Sequence, residues 1–147
     1  MSNPALTILC FDYGRRRIGV AVGQTISRTA TPLDSLAVRQ RRPDWGAISA
    51  LIDRWQPDLI VLGKPHHMDG STHPLAPEIE KFANRLRGRY GVDVALVDER
   101  LSSVEARRRL AGLPESRRSD PGTVDSHAAR VILETWFSEH PAPKEPT

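Results

Sequence analysis

Three acidic side chains stand where this chain could build a reactive site. Asp12 ends an apolar run that begins at Leu6, Glu99 follows an apolar run over 92–97, and Asp125 lies near the start of an amphipathic segment. Carboxylates that converge from separate segments repel one another unless a cation neutralises them. Oxygen ligands suit magnesium or manganese. Two such ions about 3.5–4 Å apart can activate a water and stabilise the leaving oxygen in phosphodiester cleavage.

Each acid also has a structural explanation. Asp12 could favour a turn before Gly14, Glu99 could pair with Arg100, and Asp125 could favour the positive end of its helix. Taken singly, Asp125 is better explained by its helix. The apolar run before Asp12 argues against a simple turn residue.

Arginines cluster at 15–17, 39–42, 107–109 and 117–118 in a chain with a formal charge of +3 and a pI of about 9.5. Such runs are commonly solvated faces, but their closeness to the acids favours a polyanionic substrate. The predicted phosphate contacts near the acids are Arg15, Arg16, Arg17, Lys64 and Arg100.

Other reactive residue types give weaker signals. His66, His67 and His73 fit no common zinc spacing and have no neighbouring cysteine, so contact with phosphate or solvent is favoured. Cys10, the single cysteine, excludes an internal disulfide and is predicted in the core. Three tryptophans on predicted apolar helix faces are interpreted as core residues rather than base-stacking platforms: Trp45, Trp55 and Trp136.

The elements that must position these residues alternate between strands and helices. Strands are predicted at 6–11, 18–22, 27–36, 58–63 and 92–97, and helices at 45–55, 78–90 and 122–137. Asp44 can cap the first helix, and Pro32 suits an edge position of the third strand better than a central one. Loops are predicted at 38–42, 64–74 and 111–121, with a short helix capped by Ser102 or Ser103. This order indicates an α/β fold with a mixed sheet whose parallel part is covered by helices. Ligands gather at the carboxyl ends of strands in such sheets, where Asp12, Lys64 and Glu99 stand.

Length and composition restrict the class of protein. With 147 residues, 39% of them apolar, the chain is expected to form one domain over 1–138, with a disordered proline-rich tail at 139–147. The start does not resemble a signal peptide, and no segment approaches the roughly 20 apolar residues of a membrane span. A single cysteine suggests a reducing compartment. We therefore expect a soluble cytoplasmic protein with no membrane partner.

Four motifs, in this order and approximate spacing, resemble the YqgF/RuvX family: FDYGRRRIGVAVG at 11–23, LIVLGKPHHMDGS at 59–71, VDERLSSVEA at 97–106 and VDSHAARVILETWF at 124–137. The family comprises proposed pre-16S rRNA nucleases with a ribonuclease H-like fold, once proposed as Holliday-junction resolvases. The resemblance implies a central sheet of five strands, the first three antiparallel. It also implies processing of the 5′ end of the rRNA precursor during ribosome biogenesis.

The family's acidic positions fall on Asp12, Glu99 and Asp125. The resemblance implies that these residues are catalytic and hold divalent metal, magnesium or manganese, as two ions. Departures from the family pattern concern substrate contacts, among which we count His67, standing in place of an asparagine, and Ser103, which keeps a hydroxyl after the DER motif.

Several functions remain in competition. The main hypothesis is a metal-dependent endonuclease acting on RNA, and a DNA-junction resolvase is the alternative within the same chemistry. Resolution of a junction needs two active sites in one dimer. The choice between monomer and homodimer stays open, as does contact with ribosomal particles.

The D-x-G turn also resembles the phosphate loop of actin- and sugar-kinase-like ATPases, which use two such domains. A non-catalytic RNA-binding protein would gain nothing from clustered acids.

Overall fold

A mixed sheet with helices on both faces organises the part of the chain that the computed structural model describes, which is residues 6–64, 74–98 and 121–140, with only the backbone at 121–125. The strands are β1 Thr7–Tyr13, β2 Arg17–Gln24, β3 Thr29–Arg39, β4 Arg42–Pro43, β5 Leu59–Lys64 and β6 Asp93–Asp98. The helices are α1 Trp45–Trp55, α2 Ala76–Tyr90 and α3 Pro121–Glu139. The strand order is β4-β3-β2-β1-β5-β6, antiparallel from β1 to β4 and parallel from β1 through β5 to β6. The predicted α/β class is confirmed.

The expected count of five strands is wrong, since the described sheet has six. β3 continues to Arg39, and β4 pairs with its end through the pairs Val38–Pro43 and Arg39–Arg42. The loop prediction for 38–42 therefore missed a tight hairpin. Its two central residues, Gln40 and Arg41, have φ angles of 50° and 63°. Turns of this kind favour asparagine and glycine, so the residue types gave no signal.

Pro32 lies where the sequence predicts it, on an exposed edge. It pairs with Ala21 of β2 on one side, while β4 reaches only the last residues of β3. Proline lacks the N–H that a central strand would need on its second side.

Side chains alternate along β1 between two apolar cores. Leu9, Phe11 and Tyr13 face α1 and α2, whereas Ile8 and Cys10 face α3. Cys10 is fully buried, as predicted. The first core includes the rings of Phe11 and Phe82, 6.0 Å apart and nearly perpendicular. Trp45 and Trp55 pack against this core and Trp136 against the other, which confirms their structural interpretation.

The helix ends are fixed by identifiable contacts. The Asp44 carboxylate accepts a hydrogen bond from the backbone N–H of Ala47 at 3.1 Å, so the predicted N-cap of α1 is confirmed. Gly91, at a φ of 63°, ends α2.

Arg28, in the β2–β3 turn, donates hydrogen bonds to the carbonyls of Phe137 and His140. α3 therefore ends beside that turn and runs back along the sheet, antiparallel to β1. Within the described residues, no helix combines the length and apolar character needed to cross a membrane.

Candidate active site

Asp12 lies near the carboxyl end of β1, a strand paired on both sides. Its carboxylate is half-buried and, by the alternation of β1, shares the α3 face with Cys10. Gly19 pairs with Asp12 on the β2 side. The β1–β5 register, which pairs Phe11 with Leu62, brings Gly63 level with Asp12 on the other side. Neither neighbouring residue in the sheet therefore places a side chain of its own beside the carboxylate.

The start of α3 contacts the sheet at the same level as this carboxylate, two strands away on β3. The Ser126 hydroxyl donates a hydrogen bond to the carbonyl of Leu33, and Ser126 is only 2% exposed. Leu33 pairs with Val20, which pairs with Phe11, the residue before Asp12. The helix therefore reaches the sheet at the level of Asp12, and its backbone carries Asp125 one residue before that contact. The side chain of Asp125 is outside the described residues.

β6 brings the chain to the same edge of the sheet. Gly63 pairs with Val97, which is buried in the α3-side core, and β6 ends at Asp98. The remaining predicted site residues lie outside the described residues: Glu99, Arg100, Ser103 and His67. Within the described ranges no three histidine, cysteine, aspartate or glutamate side chains converge. Of the three predicted acids, the described side chains therefore include Asp12 alone.

Arg15 and Arg16 lie in the turn that follows β1, and Arg17 is the first residue of β2. Arg15, Arg16 and Arg17 are exposed. Gly14 is required before them, because a Cβ at this position would lie 2.6 Å from the carbonyl oxygen of Arg17. The turn therefore holds the cationic run within a few residues of Asp12.

Lys64 points to the other face of the sheet. Its ammonium nitrogen lies 3.0 Å from Glu80 Oε1 on α2, so the two form an ion pair. Asp12 faces α3, and the two charges are consequently separated by the thickness of the sheet. The prediction that Lys64 stands at a strand's carboxyl end is confirmed, but its described partner is a carboxylate of α2.

Tyr13, the residue after Asp12, faces α1 and α2. Burial raises the pKa of its phenol above 10.0, and the carboxylate of Glu78 raises the pKa further. The guanidinium groups of Arg85, Arg15 and Arg41 act in the opposite direction. The phenol therefore stays protonated at neutral pH and can donate a hydrogen bond.

The acid could be predicted from the sequence, but the residues that surround it could not. Gly19 and Gly63 are known from the sequence, but only the register of the strands shows that they flank Asp12. Ser126 had no signal beyond its place next to Asp125, since its partner is a backbone carbonyl 93 residues away.

Sequence comparisons match this chain over nearly its whole length. The family model described as "RuvX: Holliday junction resolvase" covers residues 6–139. A relative from Pectobacterium carotovorum, named "Putative pre-16S rRNA nuclease", is 51% identical over 131 residues, covering 89% of this chain and 94% of the relative. A relative of the same name from Yersinia enterocolitica is 49% identical over 133 residues, covering 90% and 95%.

Solved structures give the fold. The RuvC protein of T. thermophilus, in complex with a Holliday junction substrate, has a TM-score of 0.54 at 16% identity, covering 95% of this chain and 98% of that one. The fowlpox virus Holliday junction resolvase has a TM-score of 0.57 at 12% identity, covering 92% and 99%. The described architecture is therefore the ribonuclease H-like fold of the RuvC type. By the matched family model and by relatives about half identical to it, this chain belongs to the RuvX family.

Proposed function

We propose that this chain is a metal-dependent endonuclease that hydrolyses phosphodiester bonds at the 5′ end of pre-16S rRNA. The observation that carries the proposal is the placement of Asp12: a half-buried carboxylate at the carboxyl end of a doubly paired strand, flanked by glycines, on the face of the sheet that α3 covers and at the level where that helix begins. Relatives half identical to this chain carry a pre-16S rRNA nuclease name, which supports RNA as the substrate.

Asp12 fits the role of a ligand to a hard cation, because it offers carboxylate oxygens at a strand end where its paired residue, Gly19, has no side chain. We propose that Glu99 and Asp125 complete the ligand set and that two ions, magnesium or manganese, are held. Metal ions bound there would supply an activated water and stabilise the leaving oxygen. β6 ends one residue before Glu99, and α3 reaches the sheet one residue after Asp125, which supports their convergence with Asp12.

Cationic side chains next to the acid would orient the substrate. Arg15, Arg16 and Arg17 are exposed in the turn after β1 and at the start of β2, and they are proposed to contact phosphates, which makes binding salt-dependent. Further proposed contacts are Arg100, His67 and Ser103. Lys64 would contact a substrate segment on the α2 side, where Glu80 now holds its ammonium group.

The cellular setting is part of the same proposal. One nuclease domain over residues 1–138 would act in the cytoplasm during ribosome biogenesis, with the rRNA precursor, alone or within a ribosomal particle, as its partner. A monomer is sufficient for cleavage of a single RNA strand.

The test is cleavage of a labelled pre-16S rRNA fragment with magnesium, manganese or EDTA. Asp12→Asn should lower the cleavage rate by at least roughly a hundredfold, the cost of one lost electrostatic contact at a reacting centre. Glu99→Gln and Asp125→Asn should act alike. Asp93→Asn is the matched control, since Asp93 is exposed at the opposite, amino end of β6 and should leave the rate unchanged.

Three outcomes would contradict parts of this proposal. Cleavage that persists in EDTA would overturn the metal mechanism. An unchanged rate in Asp125→Asn would remove that residue from the ligand set. Equal losses in Asp12→Asn and Asp93→Asn would show a general effect of charge rather than a site.

A DNA-junction resolvase is the second candidate, favoured by the description of the matched family and by the fold of two resolvases. A four-way DNA junction in the same assay separates the two. Paired, symmetric nicks made by a dimer, together with an uncut RNA fragment, would favour the resolvase.

A further inference from the structure

A cavity of about 150 Å³ lies on the face of the sheet opposite Asp12, between the end of β1, the β3–β4 turn and α2. Its apolar lining comes from Tyr13, Pro43 and Phe82, all of which are buried. Its charged lining comes from Arg41, Lys81, Arg85 and Glu78. The cavity is thus concave, apolar at its base and cationic at its rim.

The charges around the cavity are unbalanced. Lys81 and Arg85 are four residues apart on α2, where like charges destabilise a helix. Among the described side chains, neither they nor Arg41 form an ion pair with a carboxylate. The carboxylate that lines the cavity, Glu78, lies with its Oε2 3.8 Å from Nε of Arg15, a further cation. A bound anion would therefore relieve repulsion among the three lining cations.

Arg41 reaches this cavity from a backbone conformation that disfavours it. Its φ is 63°, and Gln40 before it has a φ of 50°. Left-handed conformations are unfavourable for residues with a Cβ, and glycine is the residue that tight hairpins of this kind prefer. A cationic side chain therefore stands where stability alone would favour glycine.

Tyr13 supplies a neutral donor. Its side chain lines the cavity, and its ring lies 5.2 Å from that of Phe82. A phenol hydroxyl donates to an anion without adding charge. The lining thus combines guanidinium, ammonium and hydroxyl donors, which is the donor set that phosphate groups favour.

We propose that this cavity binds one phosphodiester group of the nucleic-acid strand that is cleaved at Asp12. Asp12 and Tyr13 are consecutive residues of β1 and lie on opposite faces at the same edge of the sheet. A nucleic-acid strand that passes over that edge can therefore reach both faces. Cavities that enclose a whole small ligand measure about 300 Å³ or more, whereas this one suits a single phosphate. That the bound group belongs to the cleaved nucleic-acid strand rests on the proposed function. The charge and shape of the cavity do not depend on that function.

Binding of a short fluorescein-labelled single-stranded RNA, measured by anisotropy in EDTA over a series of salt concentrations, tests the assignment without requiring cleavage. The double variant Lys81→Gln/Arg85→Gln should bind roughly tenfold more weakly, as expected for losing a charge-assisted hydrogen bond. Its plot of log affinity against log salt should flatten by about 0.7, the value for one phosphate contact of a single strand.

The control double variant is Arg54→Gln/Arg87→Gln, with the same loss of two charges. Arg54 lies at the far end of α1 against the Trp55 ring, and Arg87 contacts Asn84 and the carbonyl of Val94. Neither lines the cavity, so this variant should change affinity and slope far less. Equal losses in the two double variants would overturn the proposal, because they would show that only net charge matters.

Arg41→Gly separates binding from folding. Glycine relieves the left-handed strain, so the variant should unfold at the same or a higher temperature than the unchanged protein while binding RNA several-fold more weakly. Undiminished RNA binding by this variant and by Lys81→Gln/Arg85→Gln would overturn the assignment.

Inorganic phosphate tests the source of the anion. Phosphate could raise the unfolding temperature of the unchanged protein but not that of the Lys81→Gln/Arg85→Gln variant, while both proteins bind RNA equally. That result would assign the cavity to a free anion and overturn its assignment to the nucleic-acid strand. A protein that binds RNA as proposed but cleaves nothing with metal present would refute the nuclease function alone.

Discussion

Gly14 offers a sharp test of how the β1–β2 turn serves the acid. A Cβ added there would lie 2.6 Å from the carbonyl oxygen of Arg17, closer than real Cβ atoms approach. The next nearest atom is the carbonyl carbon of the same residue at 3.8 Å, so the turn can move without disturbing a core. Gly14→Ala should therefore cost only about 1 kcal/mol of stability, at the low end of overpacking changes.

We expect the same movement of the turn to lower the cleavage rate strongly. The turn begins two residues after Asp12 and holds Arg15 and Arg16, and Arg17 follows at the start of β2. A displacement of about 1 Å in a reacting group can cost roughly a hundredfold in rate. We expect Gly14→Ala to lower the RNA-cleavage rate at least tenfold, while its unfolding temperature falls by about 2–4 °C.

Gly23 is the matched control at the other end of β2. A Cβ there would lie 2.5 Å from the carbonyl oxygen of Thr29, and also 3.0 Å from Leu133 and 3.1 Å from Phe137. Both side chains are buried, so Gly23→Ala should cost about 3 kcal/mol, at the upper end of the range. Cleavage per folded molecule should be retained, since these contacts are remote from Asp12.

The assay compares thermal unfolding with single-turnover cleavage at a temperature where both variants are folded. We expect the two variants to rank in opposite order: Gly23→Ala loses more stability, and Gly14→Ala loses more activity. If Gly23→Ala loses as much activity per folded molecule as Gly14→Ala, the turn has no special role in positioning the acid.

Two further predictions concern stability. Arg28→Ala should lower the free energy of unfolding by about 1–2 kcal/mol, measured by urea titration, because its guanidinium caps the α3 carbonyls at Phe137 and His140; an unchanged midpoint would contradict this. Tyr13→Phe concerns alkaline pH. The fold holds the Tyr13 pKa above 10.0, so the unfolded chain loses its proton first and stability falls as pH rises from 10.0 through the folded value. Tyr13→Phe should remove that part of the decline, and equal slopes above pH 10.0 would refute it.

The sequence was sufficient for elements whose local chemistry matches their structure. Asp44 before an apolar stripe predicts the start of α1, and the side chain does cap that helix. Pro32 predicts an edge, and β4 leaves that part of β3 uncovered. The β3–β4 hairpin could not be predicted, because Gln40 and Arg41 are not turn-forming types and are held there by pairing of the flanking residues.

The faces of the central strands were also hidden, for a different reason. β1 and β5 are buried on both sides, and such strands are apolar at nearly every position rather than alternating. The sequence therefore predicts that Asp12 and Lys64 lie at strand ends, but it does not show that they face the helices on opposite sides of the sheet. That distinction requires knowing which helix covers which face.

The alternation of β1 gives this edge of the sheet two chemistries. Asp12 faces α3, whose start is held to the sheet by Ser126. Tyr13 faces α2, where Lys81 and Arg85 present positive charge. A one-residue slip of β1 would exchange the two faces, placing the acid among aromatic rings and the phenol beside the start of α3. The glycine opposite Asp12 and the aromatic partner of Tyr13 each suit one register only. The register that builds the core therefore also keeps the proposed catalytic acid on the α3 face and the proposed phosphate-binding cavity on the α2 face.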